Sequence, residues 1–235
     1  MSNSLEPSKT LPTLYTLEGS SNSYKITLLA SLLDIKLEHR IIDLQKDEQH
    51  SPEYVAINPR AQIPALVHGE HVFNDSAAII TYLAATNPDP GSTTTPSSYW
   101  SVDAAEQAKI IDWIAFGASW IQFGVFTCAN IVSYGGTYNG LGAGYSQQTL
   151  DEAIIRSHKS LEILDSHLAK EKWLALGRPT IADIAVFPSV GLAPMGDISL
   201  EKYTNVKRWI QDIRNLKGFR TLQGLDDPYF TRRGK

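Results

Sequence analysis

One stretch limits what this chain can fold into more than any other: Ile63-Pro64-Ala65-Leu66-Val67, then His68-Gly69-Glu70-His71, then Val72-Phe73. Two short runs of β-prone residues around a glycine-containing turn read as a β-hairpin. Asn74-Asp75-Ser76 follows at once, and side chains of these types cap helix N-termini. The apolar residues after it predict a helix from Ala77 to about Ala84. A hairpin feeding a helix cannot be stable alone in water, so its sheet must be completed from elsewhere.

The residues upstream can complete it. Leu14-Tyr15-Thr16-Leu17 is a strand candidate, and Glu18-Gly19-Ser20-Ser21-Asn22-Ser23 is a turn cluster ending in good capping residues. Tyr24 to Leu33 places apolar residues at helical spacing, and Leu37 to Asp43 alternates as a second strand. Gln45 to Ser51 is polar, Pro52 to Ile57 predicts a short helix, and Asn58-Pro59-Arg60-Ala61-Gln62 is a loop. The order is βαβ followed by ββα. This is the thioredoxin arrangement, an α/β domain with a mixed four-stranded sheet.

Beyond residue 86 the composition shifts. Asn87-Pro88-Asp89-Pro90-Gly91-Ser92, three threonines and Pro96 predict a linker. Everything after it reads as an all-α domain. Ile110, Trp113, Ile114, Trp120 and Ile121 recur at helical spacing from Asp103 to about Cys128. Leu150 to Leu168 is a second long helix, and Ile181 to about Val190 and Val206 to Leu216 are two more. Ser133 to Tyr145 holds five glycines and the tyrosines Tyr134, Tyr138 and Tyr145; it predicts a loop, since each glycine costs a helix about 1 kcal/mol relative to alanine. The expected organisation is a flexible tail 1–11, a small domain 12–86, a linker 87–100, a helical domain 101–224 and a C-terminal tail 225–235.

Composition removes several function classes. At 235 residues the chain can bury a core without disulfide or metal staples. A net charge of −4 does not favour nucleic acid. The basic cluster Arg232, Arg233 and Lys235 reads as solvated charge on a loose end. The lone Cys128 makes neither a disulfide nor a CxxC redox pair, which points to a reducing compartment. The sequence carries no apolar run near the ~20 residues that span a bilayer, and no secretory signal pattern. The expectation is a cytoplasmic protein with no membrane or nucleic-acid partner. Histidine and cysteine spacing predicts no metal.

Two motifs together carry a family resemblance. Asn58 to Ala84 (NPRAQIPALVHGEHVFNDSAAIITYLA) and Gly177-Arg178-Pro179-Thr180-Ile181-Ala182-Asp183 resemble the cytosolic glutathione transferase superfamily over roughly residues 12–220. In that family the first segment is a branched residue, a cis-proline, a hairpin, then an acidic residue and serine opening a helix. The second is an N-capping box in the helical domain. Within the superfamily, Asn22 near the first helix and Gln49 ahead of Pro52-Glu53-Tyr54 look like the nu-class and fungal nitrogen-regulator-like branch. The resemblance implies glutathione as co-substrate, a homodimer, and a small apolar electrophile or a disulfide as second substrate.

Glutathione then suggests a role for each residue. Asp75 and Ser76 at a helix N-terminus suit the γ-glutamyl end, whose carboxylate meets free N–H groups and whose ammonium meets Asp75. Pro64, as a cis residue, would turn the Ile63 backbone toward the cysteinyl backbone, as an added strand would. Gln49 and His50, with Lys46 and Arg60 less directly, suit the glycyl carboxylate. Asn22, with Ser20 and Ser21 behind it, lies where the thiol is expected. Only thiolate attacks, and lowering a thiol pKa of ~8.5 by ~2 takes ~2.7 kcal/mol of preferential stabilisation. Tyr15 is the rival donor. S-S-N-S is equally an N-cap cluster, and both roles stay open. Thr180 and Asp183 read as structural, Cys128 as a buried thiol. Trp113, Phe116, Trp120, Phe123 and Phe126 read as core or dimer contact, with an apolar substrate pocket as the other reading. Conjugation, disulfide reduction, a dedicated biosynthetic step and a non-catalytic carrier all remain compatible with these residues.

Overall fold

A computed structural model describes residues 11–136 and 144–232. The expected 1–11 tail falls almost wholly outside the described residues, as do Tyr138 and the centre of the glycine-rich loop, and Arg233 and Lys235. The chain divides into two units between Ser97 and Ser98.

The first unit is a four-stranded sheet with three helices. Its elements are β1 (Thr13–Thr16), α1 (Ser21–Leu32), β2 (Glu38–Ile41), α2 (Pro52–Ile57), β3 (Ala65–His68), β4 (His71–Asn74) and α3 (Ser76–Thr86). Spatial order is β2-β1-β3-β4, with β1 parallel to β2 and antiparallel to β3. The sheet is therefore mixed, as the element order predicts. Tyr15 sits opposite Ala65, and Leu66 opposite Phe73. His68 pairs with His71, so the turn is only Gly69-Glu70, and Gly69 supplies the positive φ of 60° that a two-residue hairpin turn demands.

Burial follows from alternation. Leu14 and Leu66 are fully buried, as are Ile26, Leu28 and Leu29 of α1 and Ile79 and Ile80 of α3. Helices α1 and α3 pack on each other. Each such side chain contributes roughly 1.5–3 kcal/mol when taken out of water. Strand β2 is an exposed edge carrying Glu38, His39 and Arg40, and charge of this kind discourages pairing with another chain. The polar stretch before α2 forms two short 3-10 turns, Leu44–Lys46 and Glu48–His50. Thr95–Pro96 is cis, as is Ile63–Pro64.

The second unit is helical. One continuous helix runs through α4 (Ala104–Phe116), a π-helical segment (Gly117–Phe126) and α5 (Thr127–Tyr134). The other helices are α6 (Gln147–Leu168), α7 (Ile181–Gly191) and α8 (Thr204–Arg214). Helix α7 is buried from Ile181 to Val190 and forms the centre of the unit. Around it lie Ile110, Ile121, Val125, Leu161, Leu164 and Trp209. The π segment packs on α6 and α7. A Cβ on Gly124 would lie 2.9 Å from the Ser157 backbone nitrogen, so only glycine permits that approach.

Four expectations need correction. The long helix continues past Cys128 to Tyr134, six residues into what read as loop and lead-in. The span Ala104–Tyr134 is also long and apolar enough, by length and composition alone, to cross a membrane, with a window of mean hydropathy 1.3; the sequence reading had found no such run. Its middle segment packs against α6 and α7 within the unit, and 39% of that window is buried. The core half of the aromatic-stripe reading fails for Phe123 and Trp120, exposed at 62% and 37%, while Trp113, Phe116 and Phe126 are half-buried and Ile110, Ile121 and Val125 fill the interior. Arg232 is not loose either, because its guanidinium meets Asp197 Oδ1 at 2.8 Å.

Candidate functional site

The S-S-N-S cluster forms the N-terminal turn of α1. Ser20 is the cap, with extended φ −70° and ψ 119°, and its Oγ accepts from the Ser23 N–H at 3.2 Å. Ser21 is buried at 7% exposure, whereas Asn22 is half-buried. Ser20 thus fulfils the capping reading through a lone pair of its oxygen, a bond that does not use its hydroxyl hydrogen.

Asn22 has a partner that the sequence reading missed. The Lys25 ammonium donates to Asn22 Oδ1 at 2.8 Å and to Ser76 Oγ at 3.4 Å. Lys25 lies one helical turn from Asn22 on the same face of α1, the spacing that brings i and i+3 side chains together. It is the sole charged residue of α1. A lone cation on a helix with no other charge is the signal that could have found it. Burial lowers its pKa to about 8, with the Asp75 carboxylate pulling the other way.

Asp75 and Ser76 open α3. Asp75 is the cap, and its Oδ1 accepts from the Ala77 N–H at 2.8 Å. Its φ of 108° lies in a region costly for a residue with a Cβ. Strain of about 1–3 kcal/mol persists where surrounding structure demands it, and such positions cluster at functional sites. Ser76 is the first helical residue, 8% exposed. The structure therefore joins Asn22, Lys25 and Ser76 through one ammonium, with the Asp75 carboxylate beside it. Two helix N-termini, each with unsatisfied N–H groups and partial positive charge, contribute to this constellation.

The loop before β3 is pinned by its carbonyl. Gln62 O accepts from Tyr54 OH and from Asn58 Nδ2, both at 2.6 Å. Both donors are buried, and burial pushes the Tyr54 phenol up to about 12. Ile63 lies ahead of β3, outside its ladder to β1, and packs against the cluster of Ile42, Tyr54 and Ala65.

Gln49 and His50 are together but engaged. Gln49 Nε2 donates to Asp47 Oδ1 at 2.8 Å, and His50 Nδ1 lies 2.6 Å from the same oxygen. Lys46 pairs with Asp43 at 3.0 Å, which holds the Asp43 carboxyl below its ordinary range. Arg60 is exposed. Tyr15 packs against Tyr54 with ring centroids 5.8 Å apart and the planes inclined by 49°. It lines a cleft of about 400 Å3 with Ile42, Glu48, Glu53 and Tyr54, where acidic walls disfavour an anion.

In the second unit Thr180 and Asp183 form the expected capping box. Asp183 does more than cap: it also accepts from the Leu174 N–H at 3.0 Å and the Trp209 indole N–H at 2.9 Å. Cys128 is fully buried against Ser157 Oγ at 3.5 Å, and burial raises its thiol pKa. Tyr145 packs its ring over Gly136. Among the described residues no group of three His, Cys, Asp or Glu could hold a metal ion.

Comparison with known proteins identifies the two domains. Residues 14–91 match the family model of the glutathione S-transferase N-terminal domain, and residues 121–217 that of its C-terminal domain. Glutathione S-transferase 2 of Anopheles gambiae is 25% identical over 195 residues, 83% of this chain and 86% of that protein. Protein URE2 of Meyerozyma guilliermondii is 34% identical over 114 residues, 46% of this chain and 36% of that one. The crystal structure of glutathione transferase URE2P6 from Phanerochaete chrysosporium, described in complex with oxidized glutathione, superposes with a TM-score of 0.75 at 25% identity, covering 89% of this chain and 93% of that one. A thioredoxin-like unit with a capped helix pair, followed by a helical unit, with both domain models matched in order, admits one conclusion: the chain belongs to the glutathione S-transferase superfamily.

Proposed function

We propose that this protein is a glutathione transferase that binds glutathione in its first unit and holds the thiol as thiolate beside Asn22. The observation that carries the reading is the meeting of two helix N-termini at Asn22 and Ser76. Ser76 and the α3 N–H groups take the γ-glutamyl carboxylate, and Asp75 takes its ammonium. The Ile63 backbone pairs with the cysteinyl residue. Gln49 and His50 meet the glycyl carboxylate, with the ligand displacing Asp47 from their donors. Asn22 donates its amide N–H to the sulfur, and the N-terminus of α1 adds positive potential. The protein supplies position and electrostatics, and glutathione supplies the nucleophile.

The second substrate is a small apolar electrophile. A glutathione-dependent disulfide reductase is the second reading, favoured by the URE2-type neighbour and by an asparagine at the thiol position. There the thiolate of bound glutathione attacks a disulfide sulfur and forms a mixed disulfide, the other sulfur leaving as thiolate. The nu-class and fungal nitrogen-regulator-like branch, a reducing cytoplasmic setting and a homodimer complete the proposal.

The test is an ultraviolet titration of thiolate in the glutathione complex. We expect an apparent pKa well below ~8.5, raised by at least one pH unit in Asn22→Ala. Turnover on a chloronitrobenzene versus a small disulfide then separates the two readings. Glutathione binding with an unshifted thiol would overturn the activation by Asn22.

A further inference from the structure

We propose that Lys25 is a positioning residue: it fixes the orientation of the Asn22 amide and ties it to Ser76, so that the thiol end and the γ-glutamyl end of the site are set as one unit. The inference rests on the glutathione reading above and adds a residue to it.

The argument is stereochemical. An asparagine amide can turn over, exchanging an acceptor for a donor at almost no change in shape. A lysine ammonium has three donors and no acceptor. The atom of Asn22 that lies 2.8 Å from Lys25 Nζ must therefore be Oδ1. Its Nδ2 donors then point away from the ammonium. An anionic sulfur needs a donor, and an amide turned the other way would offer it an oxygen lone pair instead. Lys25 removes that alternative.

The same ammonium also polarises the amide. A carbonyl that accepts from a cation makes its own N–H groups better donors, because hydrogen bonds in series reinforce one another in a low-dielectric setting. Ser76 Oγ, 3.4 Å from Nζ, receives a second donor of the ammonium and keeps its hydroxyl hydrogen for a ligand. Asp75 on α3 is the charged group that faces Lys25 and favours its cationic form, while burial opposes it. Lys25 thus bridges the first turn of α1 to the first turn of α3, and no other charged side chain of α1 could do so.

The test is a double-mutant cycle read by the thiol titration. Lys25→Met keeps length and volume but has no donor; Lys25→Arg keeps charge and donors. We expect the pKa of bound glutathione to rise by roughly one pH unit in Lys25→Met. We expect Lys25→Arg to recover at least half of that rise. The double variant Asn22→Ala with Lys25→Met should titrate no higher than Asn22→Ala alone, since the lysine acts through the asparagine. Thermal melts run in parallel, with Lys25→Gln as a second neutral variant should Lys25→Met fail to fold. A lowered melting temperature with an unmoved thiol pKa would show a merely structural lysine and overturn the inference. So would additive shifts in the double variant. Either result leaves glutathione activation by the wild type standing. A wild type that does not bind glutathione overturns the transferase reading, and this inference with it.

Discussion

Asp183 carries more hydrogen bonds than any capping role requires. Its carboxyl accepts from the Thr180 N–H and Oγ1, the Leu174 N–H and the Trp209 indole, at 0% exposure. One residue therefore fastens the α7 cap to α8 and to the loop before the cap. Asp183→Ala strands buried donors, and each costs about 1–3 kcal/mol. We expect the melting temperature of the chain to fall by ~10 °C, measured by circular dichroism. Burial raises the carboxyl pKa from 3.8 to about 6. The folded chain thus holds a proton that the unfolded chain has released between these values. The stabilisation linked to this proton is full below pH ~4 and is lost as pH rises through about 6, on the order of 3 kcal/mol. Asp183→Asn does not titrate. The melting temperature of wild type relative to Asp183→Asn should therefore decrease between pH 4.5 and pH 7.5, roughly in step with that titration. A constant difference would count against the raised pKa. The N-cap identity of this aspartate was legible from Thr180-Ile181-Ala182-Asp183. Its bonds to Leu174 and Trp209 were not, because those partners lie 9 and 26 residues away.

At the scale of elements, local chemistry placed most boundaries and missed those that packing sets. The caps Ser20, Asp75 and Thr180 mark the starts of α1, α3 and α7 as expected. The long helix was expected through Gly117 and Gly124 but to end near Cys128, ahead of the glycine-rich stretch; it ends instead at Tyr134, with Gly135 as its C-cap at φ 68°. Gly117 and Gly124 weaken a helix in isolation, yet here they let α7 and α6 approach closely enough to bury Ile121 and Val125. Tertiary contact outweighs the propensity cost at these two positions. We expect Gly124→Ala, despite its better intrinsic propensity, to destabilise the chain by about 1–3 kcal/mol, since the new methyl meets the Arg156–Ser157 backbone. Urea denaturation would report it; a stabilised variant would mean that α6 yields. The aromatic stripe misled in another way. Helical spacing identifies a shared face but not which face is inside, and the interior took the aliphatic residues.

For the whole molecule, the apolar surface is the open question that the fold poses. Trp120 and Phe123 on the π segment and Ile155 on α6, which packs against it, are exposed at 37%, 62% and 71%. Large exposed apolar side chains on two packed helices are the natural members of an association face. Under the homodimer reading, the protein should sediment at twice its 26.0 kDa chain mass, and Phe123→Asp should sediment as a monomer with its helicity kept. A wild-type monomer would remove the dimer from the proposal.

The sequence alone determined the element order, the mixed sheet, the hairpin, the caps and the family, because each depends on residues close along the chain: a turn, a cap or a period is written within a few positions. Only the tertiary structure decided that Lys25 joins Asn22 to Ser76 across 51 positions, that Asp183 ties α7 to Trp209, and that Trp120 and Phe123 lie outside the core. These depend on which surfaces meet when helices pack, and that choice is made by shape and burial over the whole unit, with no local pattern to announce it.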